Sequence, residues 1–287
     1  MTLTKLIATV SQAKTFSAKF FCSREKKNYG LKNMEEEPKS EKLQKVLANR
    51  GLGSRREIEG WIEAKRIYVN GKLAKLGDRV AISDEIKVDG RLQKNKVRTH
   101  RYLLYNKPAG EVCSQRDDKN RKKVFDRLPK LRGRKWISVG RLDVNTSGLL
   151  LFTTDGFLAN KLMHPSSRIE REYAVRILGN VQQSRIAAMK SGVLIDNTLM
   201  KFSDIQGSSA LGGEKRANNW FYVVLMEGRN REVRKLWESQ GYVVSRLKRV
   251  RYGTFFIPSS VKVGQYKELG KNDIRALHML AGIKDSL

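Results

Sequence analysis

The sequence predicts a protein of mixed α and β structure in two domains, on three observations. The 287 residues are enough to bury one substantial core and a smaller one. Apolar residues recur at helical spacing in Leu43, Val46 and Leu47, and again in Ile58, Trp61 and Ile62, which marks one face of a 3.6-residue period. Elsewhere the period is two, as in 66–73, or the apolar run is unbroken, as from Leu149 to Phe152; both patterns belong to strands.

Lys and Arg number 58 against 29 Asp and Glu, a formal charge of +29 with a pI near 10.3. An excess of this size calls for a polyanionic partner, nucleic acid first and an anionic membrane surface as its competitor. No stretch approaches the roughly 18 to 20 consecutive apolar residues of a spanning helix. Cys22 and Cys113 are the only cysteines, and His100, His164 and His278 stand singly. Neither a disulfide framework nor a metal site is suggested, and no metal is expected.

Residues 1–40 read as a basic extension. Lys5, Lys14 and Lys19 precede the first acid, Glu25, in a stretch rich in Ser, Thr and Ala, and a disordered tail or an organelle transit peptide both fit. The polar run from Glu35 to Lys39 then breaks any apolar periodicity and reads as a linker.

Residues 41–91 form the first folded unit. The helix through Leu43 and Leu47 ends at Gly51, and Gly53 and Ser54 introduce a second helix from Arg55. A strand then enters Asn70-Gly71, the signal of a two-residue hairpin of type I′, and Glu85 to Asp89 adds another strand. Lys45, Arg50, Arg55, Arg56, Lys65 and Arg66 cluster where the helices and first strand should meet. That is a phosphate-binding face, although a charge run taken alone is usually a solvated helix surface. The stretch 43–90 resembles, along its whole length, the RNA-binding domain named after small-subunit ribosomal protein S-four. The resemblance implies that the two helices and the following turn read the backbone and shape of structured RNA. Residues 92–101 are expected to tether this domain, as a mobile unit, to a second domain over 102–280.

In that second domain, Arg101 to Gly110 reads as a strand stopped by Pro108-Ala109-Gly110. The dense basic stretch from Lys119 to Lys135 favours a disordered or RNA-gripping loop. Residues 138–156 combine a turn bearing Arg141 and Asp143, a Thr146-Ser147-Gly148 punctuation, the apolar run Leu149 to Phe152 and a second turn at Asp155-Gly156. The apolar run predicts a central strand, with Asp143 in the loop before it, held by the scaffold and open to a ligand. Taken alone, an Asp in a loop is more often a turn-former or cap than a catalyst.

Gly140-Arg141-Leu142-Asp143, then Thr146, Gly148-Leu149-Leu150-Leu151 and Thr154-Asp155-Gly156, is similar to the signature of the RsuA/RluB-type pseudouridine synthases. Arg171 to Val175 resembles that family's tyrosine motif and Glu227 to Leu236 its arginine motif. The wording of the latter, with 245–253, most resembles the large-subunit enzymes of the B type. The resemblance implies an α+β fold, with a bent, mainly antiparallel mixed sheet flanked by helices and an active-site cleft crossing it. It implies conversion of a specific uridine of ribosomal RNA, of the 23S type, to pseudouridine. No atom is gained or lost, so no cofactor is needed.

On the same resemblance Asp143 acts as nucleophile or as the base that removes a ribose proton. Arg141 fills the space left by the flipped nucleotide. Tyr173 stacks on the uracil, and Arg234 pairs with Asp143 and keeps it ionised and aimed. Arg229 and Arg231 contact RNA phosphate. A helix over 232–237 with Val233, Leu236 and Trp237 on its apolar face would point Arg234 toward the cleft. The expected partner is ribosomal RNA or a precursor particle, with no membrane, and the protein is expected as a monomer in a bacterial cytoplasm, or in an organelle if 1–40 are a transit peptide. Three other functions compete. A silent RNA-binding or assembly factor would share the charge and the first domain. A glycosidase would need a second carboxylate. A DNA-binding protein would need a recognition helix or zinc finger.

Overall fold

The structure, a computed structural model, describes residues 40–94, 99–115, 117, 119–131, 133–207 and 218–283. The expected basic extension up to residue 39, residues 95–98 of the expected linker and Arg132 of the basic stretch lie outside the described residues.

The N-terminal unit is built from β1 (Glu41–Lys42), α1 (Leu43–Asn49), α2 (Arg55–Glu63), β2 (Ile67–Val69), β3 (Lys72–Leu73), β4 (Arg79–Val80), β5 (Ile86–Val88) and β6 (Arg91–Leu92). Helix α2 begins where the sequence places it. Ser54 Oγ accepts from the Glu57 amide at 3.2 Å, and Glu57 Oε2 accepts from the Ser54 amide at 2.6 Å. This reciprocal box satisfies two donors that a helix start otherwise leaves unpaired. Ile58 and Ile62 face inward onto Leu43, Leu47, Ile67 and Ile86. Trp61 is only half-buried, because it lies at the rim with the Arg66 guanidinium 5.1 Å from its ring centroid. Asn70 and Gly71 have φ of 48° and 78°, as a type I′ turn requires, and the four strands around them run in the order β3-β2-β5-β6.

The larger unit contains β7 (Tyr102–Lys107), β8 (Ile137–Val139), β9 (Ser147–Thr153), α3 (Gly156–Met163), β10 (Arg171–Leu178), α4 (Gln183–Ser191), β11 (Val193–Ile195), β12 (Thr198–Met200), β13 (Asp204–Gly207), β14 (Asn218–Leu225), α5 (Glu232–Ser239), β15 (Val244–Tyr252), β16 (Phe255–Phe256), β17 (Tyr266–Glu268) and α6 (Lys271–Leu280). Its main sheet follows the order β13-β14-β10-β15-β9-β7-β17, with β8 paired to β9 and β16 to β15. Among the described pairings of this sheet only β15 with β9 is parallel. The fold is α+β, with helices packed on an antiparallel-rich mixed sheet.

The unbroken run Leu149 to Phe152 has a simple cause: β9 is covered on both faces, so both alternating sets must be apolar. Leu150 and Phe152 join Leu103, Tyr105, Val175 and Trp237 in one core. Leu149 and Leu151 join Tyr102, Leu104, Leu158 and Tyr252 in the other. The basic stretch departs from the disorder entertained for it. Val124 and Leu128 are buried in the first core, a 3-10 turn spans Val124–Arg127, and Trp136 Nε1 donates to the Pro129 carbonyl at 2.8 Å. Its interspersed apolar residues anchor it while Lys119, Arg121, Lys122, Arg127, Lys130 and Lys135 stay exposed. No helix among the described residues is long and apolar enough to cross a membrane.

Candidate active site

The loop between β8 and β9 carries Arg141 and Asp143, and the backbone oxygens of Asp143, Val144, Asn145 and Thr146 all have partners. Lys107, at the end of β7 and 0% exposed, donates from its ammonium to the carbonyls of Pro108 at 3.0 Å, Asp143 at 3.2 Å, Val144 at 3.3 Å and Thr146 at 2.8 Å. The Gly110 amide donates to Val144 at 2.7 Å, and the Thr146 amide donates back to Asp143 at 3.0 Å. Arg234, on α5, donates to the Asn145 carbonyl at 3.1 Å and to the Val244 carbonyl at 3.1 Å. A turn tied down in this way holds its side chains in a fixed place. Asp143 is half-buried and Arg141 exposed, so the first is positioned and the second free to reach out.

Gly148 shows why this turn ends in glycine. Its φ is 107°, and a Cβ there would stand 2.1 Å from the Arg249 carbonyl oxygen of β15. The one parallel pairing of the sheet thus depends on a residue without a side chain.

Six residues singled out from the sequence converge on one cleft of about 850 Å³: Arg141, Asp143, Tyr173, Arg229, Arg231 and Arg234 all line it. Tyr173 stands on β10, 8% exposed. Helix α5 buries Val233, Leu236 and Trp237, which leaves Arg234 on the cleft side as its periodicity requires. One expectation is modified. Among the described residues Arg234 makes no direct ion pair with Asp143; its guanidinium holds the neighbouring carbonyl of Asn145 instead. Burial lowers its basicity, as does Arg231, while the charge of Asp143 works in the opposite direction. Arg229 pairs with Glu227 at 2.7 Å and Arg231 with Glu238 at 3.1 Å, exposed pairs that a phosphate can replace at little cost.

On the N-terminal unit the six expected cations divide. Arg66 is held by Asp89 through two bonds of 2.7 and 2.6 Å, Lys45 pairs with Glu41, and Arg50 donates to the Gln93 carbonyl at 3.0 Å. Arg55, Arg56 and Lys65 are exposed.

Sequence reasoning missed Lys107, Arg171, Arg249 and Tyr252, the last three of which also line the cleft. Lys107 carries no signature in a chain this basic. Arg249 did leave a signal: it stands two residues after the buried Leu247, an inward position by strand alternation. Burial pushes the Lys107 ammonium below the usual lysine range, against the pull of Cys113, Glu111 and Asp143. Burial also raises the Cys113 thiol, whose sulfur accepts from the Leu142 amide at 3.4 Å. Among the described residues no group of three or more His, Cys, Asp or Glu side chains could hold a metal ion.

Residues 101–239 match the RNA pseudouridylate synthase family and residues 41–86 the S4 domain. A ribosomal large subunit pseudouridine synthase B from Pseudomonas aeruginosa is 54% identical over 250 residues, 86% of this chain and 64% of that protein. One from Escherichia coli is 55% identical over 235 residues, 80% of this chain and 79% of that protein. A solved pseudouridylate synthase superposes with a TM-score of 0.57 at 26% identity, over 82% of this chain and 99% of its own. The residues matched by the family include the Lys107 clamp, the Asp143 turn and Arg234, and with such relatives the chain belongs to the RNA pseudouridine synthases, with an S4 domain ahead of the synthase domain.

Proposed function

We propose that the protein isomerises a uridine of large-subunit ribosomal RNA to pseudouridine, acting as a monomer in a bacterial cytoplasm. The observation that carries the reading is the convergence of Arg141, Asp143, Tyr173 and Arg234 on one arginine-rich cleft. The names of the relatives from Pseudomonas aeruginosa and Escherichia coli support the large-subunit assignment.

In this reading the domain over 41–91 grips structured RNA, chiefly through Arg55, Arg56 and Lys65. Lys45, Arg50 and Arg66 contribute once phosphate competes with their present partners. Arg229 and Arg231 hold phosphate at the mouth of the cleft. The target nucleotide leaves its stack, because a stacked base can be neither reached nor turned, and exposed Arg141 fills the vacated space. Tyr173 lies against the uracil. Asp143 then attacks C1′ or removes the C2′ proton, the N1–C1′ bond breaks and the base turns; C5 bonds to C1′ as the Asp143–C1′ bond breaks, or as the proton returns to C2′, and the C5 proton is lost to solvent. Arg234 and Lys107 keep the Asp143 turn in place throughout. The linker over 92–101 joins this domain to the synthase domain over 102–280.

Purified protein incubated with unmodified transcripts of bacterial large- and small-subunit ribosomal RNA, followed by carbodiimide mapping, tests this directly. One new pseudouridine in the large-subunit transcript is expected. Modification confined to the small-subunit transcript contradicts the substrate, and tight binding without modification favours a silent RNA-binding factor.

A further inference from the structure

Arg249 is a buried cation that forms no ion pair among the described residues. It is 2% exposed. Its Nε donates to the Leu149 carbonyl at 2.8 Å, its guanidinium lies 5.2 Å from the ring centroid of Tyr252, and its Nη2 is buried and makes no hydrogen bond among the described residues. Glu170 and Glu172, the acids at the adjoining end of β10, are both taken by Arg251 at 2.7 and 2.6 Å. Arg171, 7% exposed, lies over the same Tyr252 ring at 5.3 Å, with its Nη1 committed to the carbonyls of Ile169 and Met226. Two buried guanidiniums thus share one tyrosine; the buried Glu232 carboxylate feels the charge of Arg171, whereas among the described residues no carboxylate forms an ion pair with Arg249. A buried charge left uncompensated is costly, so its presence in a cleft points to an anion that arrives only in the working state.

The position of Arg249 says which anion. Strand β15 lies between β10 and β9, and Arg249 is the ladder partner of Tyr173 on one side and of Gly148 on the other. It therefore stands between the residue assigned to the base and the turn assigned to the sugar. When N1–C1′ breaks, the bonding pair leaves with uracil, whose negative charge spreads from N1 onto O2 and O4. The sugar is made whole by a bond to the Asp143 carboxylate or by loss of the C2′ proton to it. We propose that Arg249 is a catalytic residue whose free Nη2–H binds a carbonyl oxygen of the detached uracil and stabilises the anion until C5 attacks C1′. A permanent carboxylate would quench that role, which accounts for its absence among the described neighbours. Phosphate is left to the exposed Arg141 and to Arg229 and Arg231 at the cleft mouth. The inference rests on the proposed isomerisation and adds to it the group that holds the leaving base.

Wild type, Arg249→Gln and Arg249→Lys are compared in single-turnover reactions on an unmodified transcript of bacterial large-subunit ribosomal RNA. The same transcript made with 5-fluorouridine is run in parallel, and nucleosides are separated after nuclease digestion. Arg249→Gln is expected to lower the rate at saturating enzyme about 100-fold or more, with RNA affinity within about threefold of wild type. Arg249→Lys recovers part of the loss. The deficit shrinks by about tenfold or more on the fluorinated RNA, because fluorine already stabilises the uracil anion. An equal deficit on both RNAs marks a merely structural role and overturns the proposal, as does weaker RNA binding with an unchanged saturating rate. If Arg249→Gln does not fold, the Lys variant makes the same comparison. A wild type that converts no uridine defeats the isomerase reading and this proposal with it; a converting wild type matched by both variants defeats this proposal alone.

Discussion

The Lys107 ammonium lies 3.2 Å from the carbonyl oxygen of Asp143 and holds three further carbonyls of the chain around it. The side chain thus acts as an internal peg for the turn that presents the carboxylate. Lys107→Met is expected to destabilise the protein by about 3 kcal/mol, since it strands several buried acceptors at once. It also lowers kcat about 100-fold with KM for RNA little changed, because displacement of the turn misplaces the reacting group. Urea denaturation and steady-state kinetics read the two effects separately.

At Gly148 the conflict is steric. With φ at 107° and a would-be Cβ 2.1 Å from the Arg249 carbonyl, Gly148→Ala is expected to cost about 3 kcal/mol or more by forcing β9 away from β15. A lowered denaturation midpoint with parallel loss of activity is the result to look for; an alanine variant of wild-type stability contradicts the contact.

These two positions also show what the sequence makes legible and what it does not. The hairpin at Asn70-Gly71, the capping of α2 at Ser54 and the central strand after Asp143 rest on local rules of backbone and periodicity, and they stand in the structure. The cleft residues could be gathered because three motifs carried a resemblance. Contacts made only by the tertiary fold left no such trace. Nothing near Lys107 in sequence tells that its ammonium meets carbonyls some 36 to 39 residues later, and the Arg234 partner proved to be a backbone carbonyl of Asn145, a choice that side-chain chemistry does not encode. By charge the basic stretch reads as a disordered or RNA-gripping loop, and Val124 and Leu128, which tie it to the core, bear against the first alternative only.

Arg234 links α5 to the turn through the Asn145 and Val244 carbonyls. Arg234→Gln is expected to lower kcat by about 10- to 100-fold with RNA affinity nearly unchanged. Arg234→Lys restores only part, since an ammonium lacks the fork that spans two carbonyls. Loss of RNA affinity with kcat intact would make Arg234 a phosphate contact instead.

Acid should weaken the N-terminal unit through Glu57. Its carboxyl is held down from 4.5 to about 2 by hydrogen bonds from the Ser54 amide, from the Ser54 hydroxyl and from Lys135. The folded value lies below the unfolded one, so the contribution is fully present above the ordinary glutamate range and is lost as pH falls from there toward about 2. The difference in melting temperature between wild type and Glu57→Gln should be largest near neutral pH and shrink steadily below the glutamate range. A difference independent of pH contradicts the assignment.

The proposed role of Asp143 in the isomerisation is read most directly by pseudouridine mapping of ribosomal RNA, with carbodiimide labelling and primer extension. Cells with the protein, without it, and with Asp143→Ala in its place are compared. One large-subunit site is expected to disappear both on deletion and with Asp143→Ala, while the variant protein accumulates normally. A site lost on deletion but retained with Asp143→Ala rules out that role for Asp143.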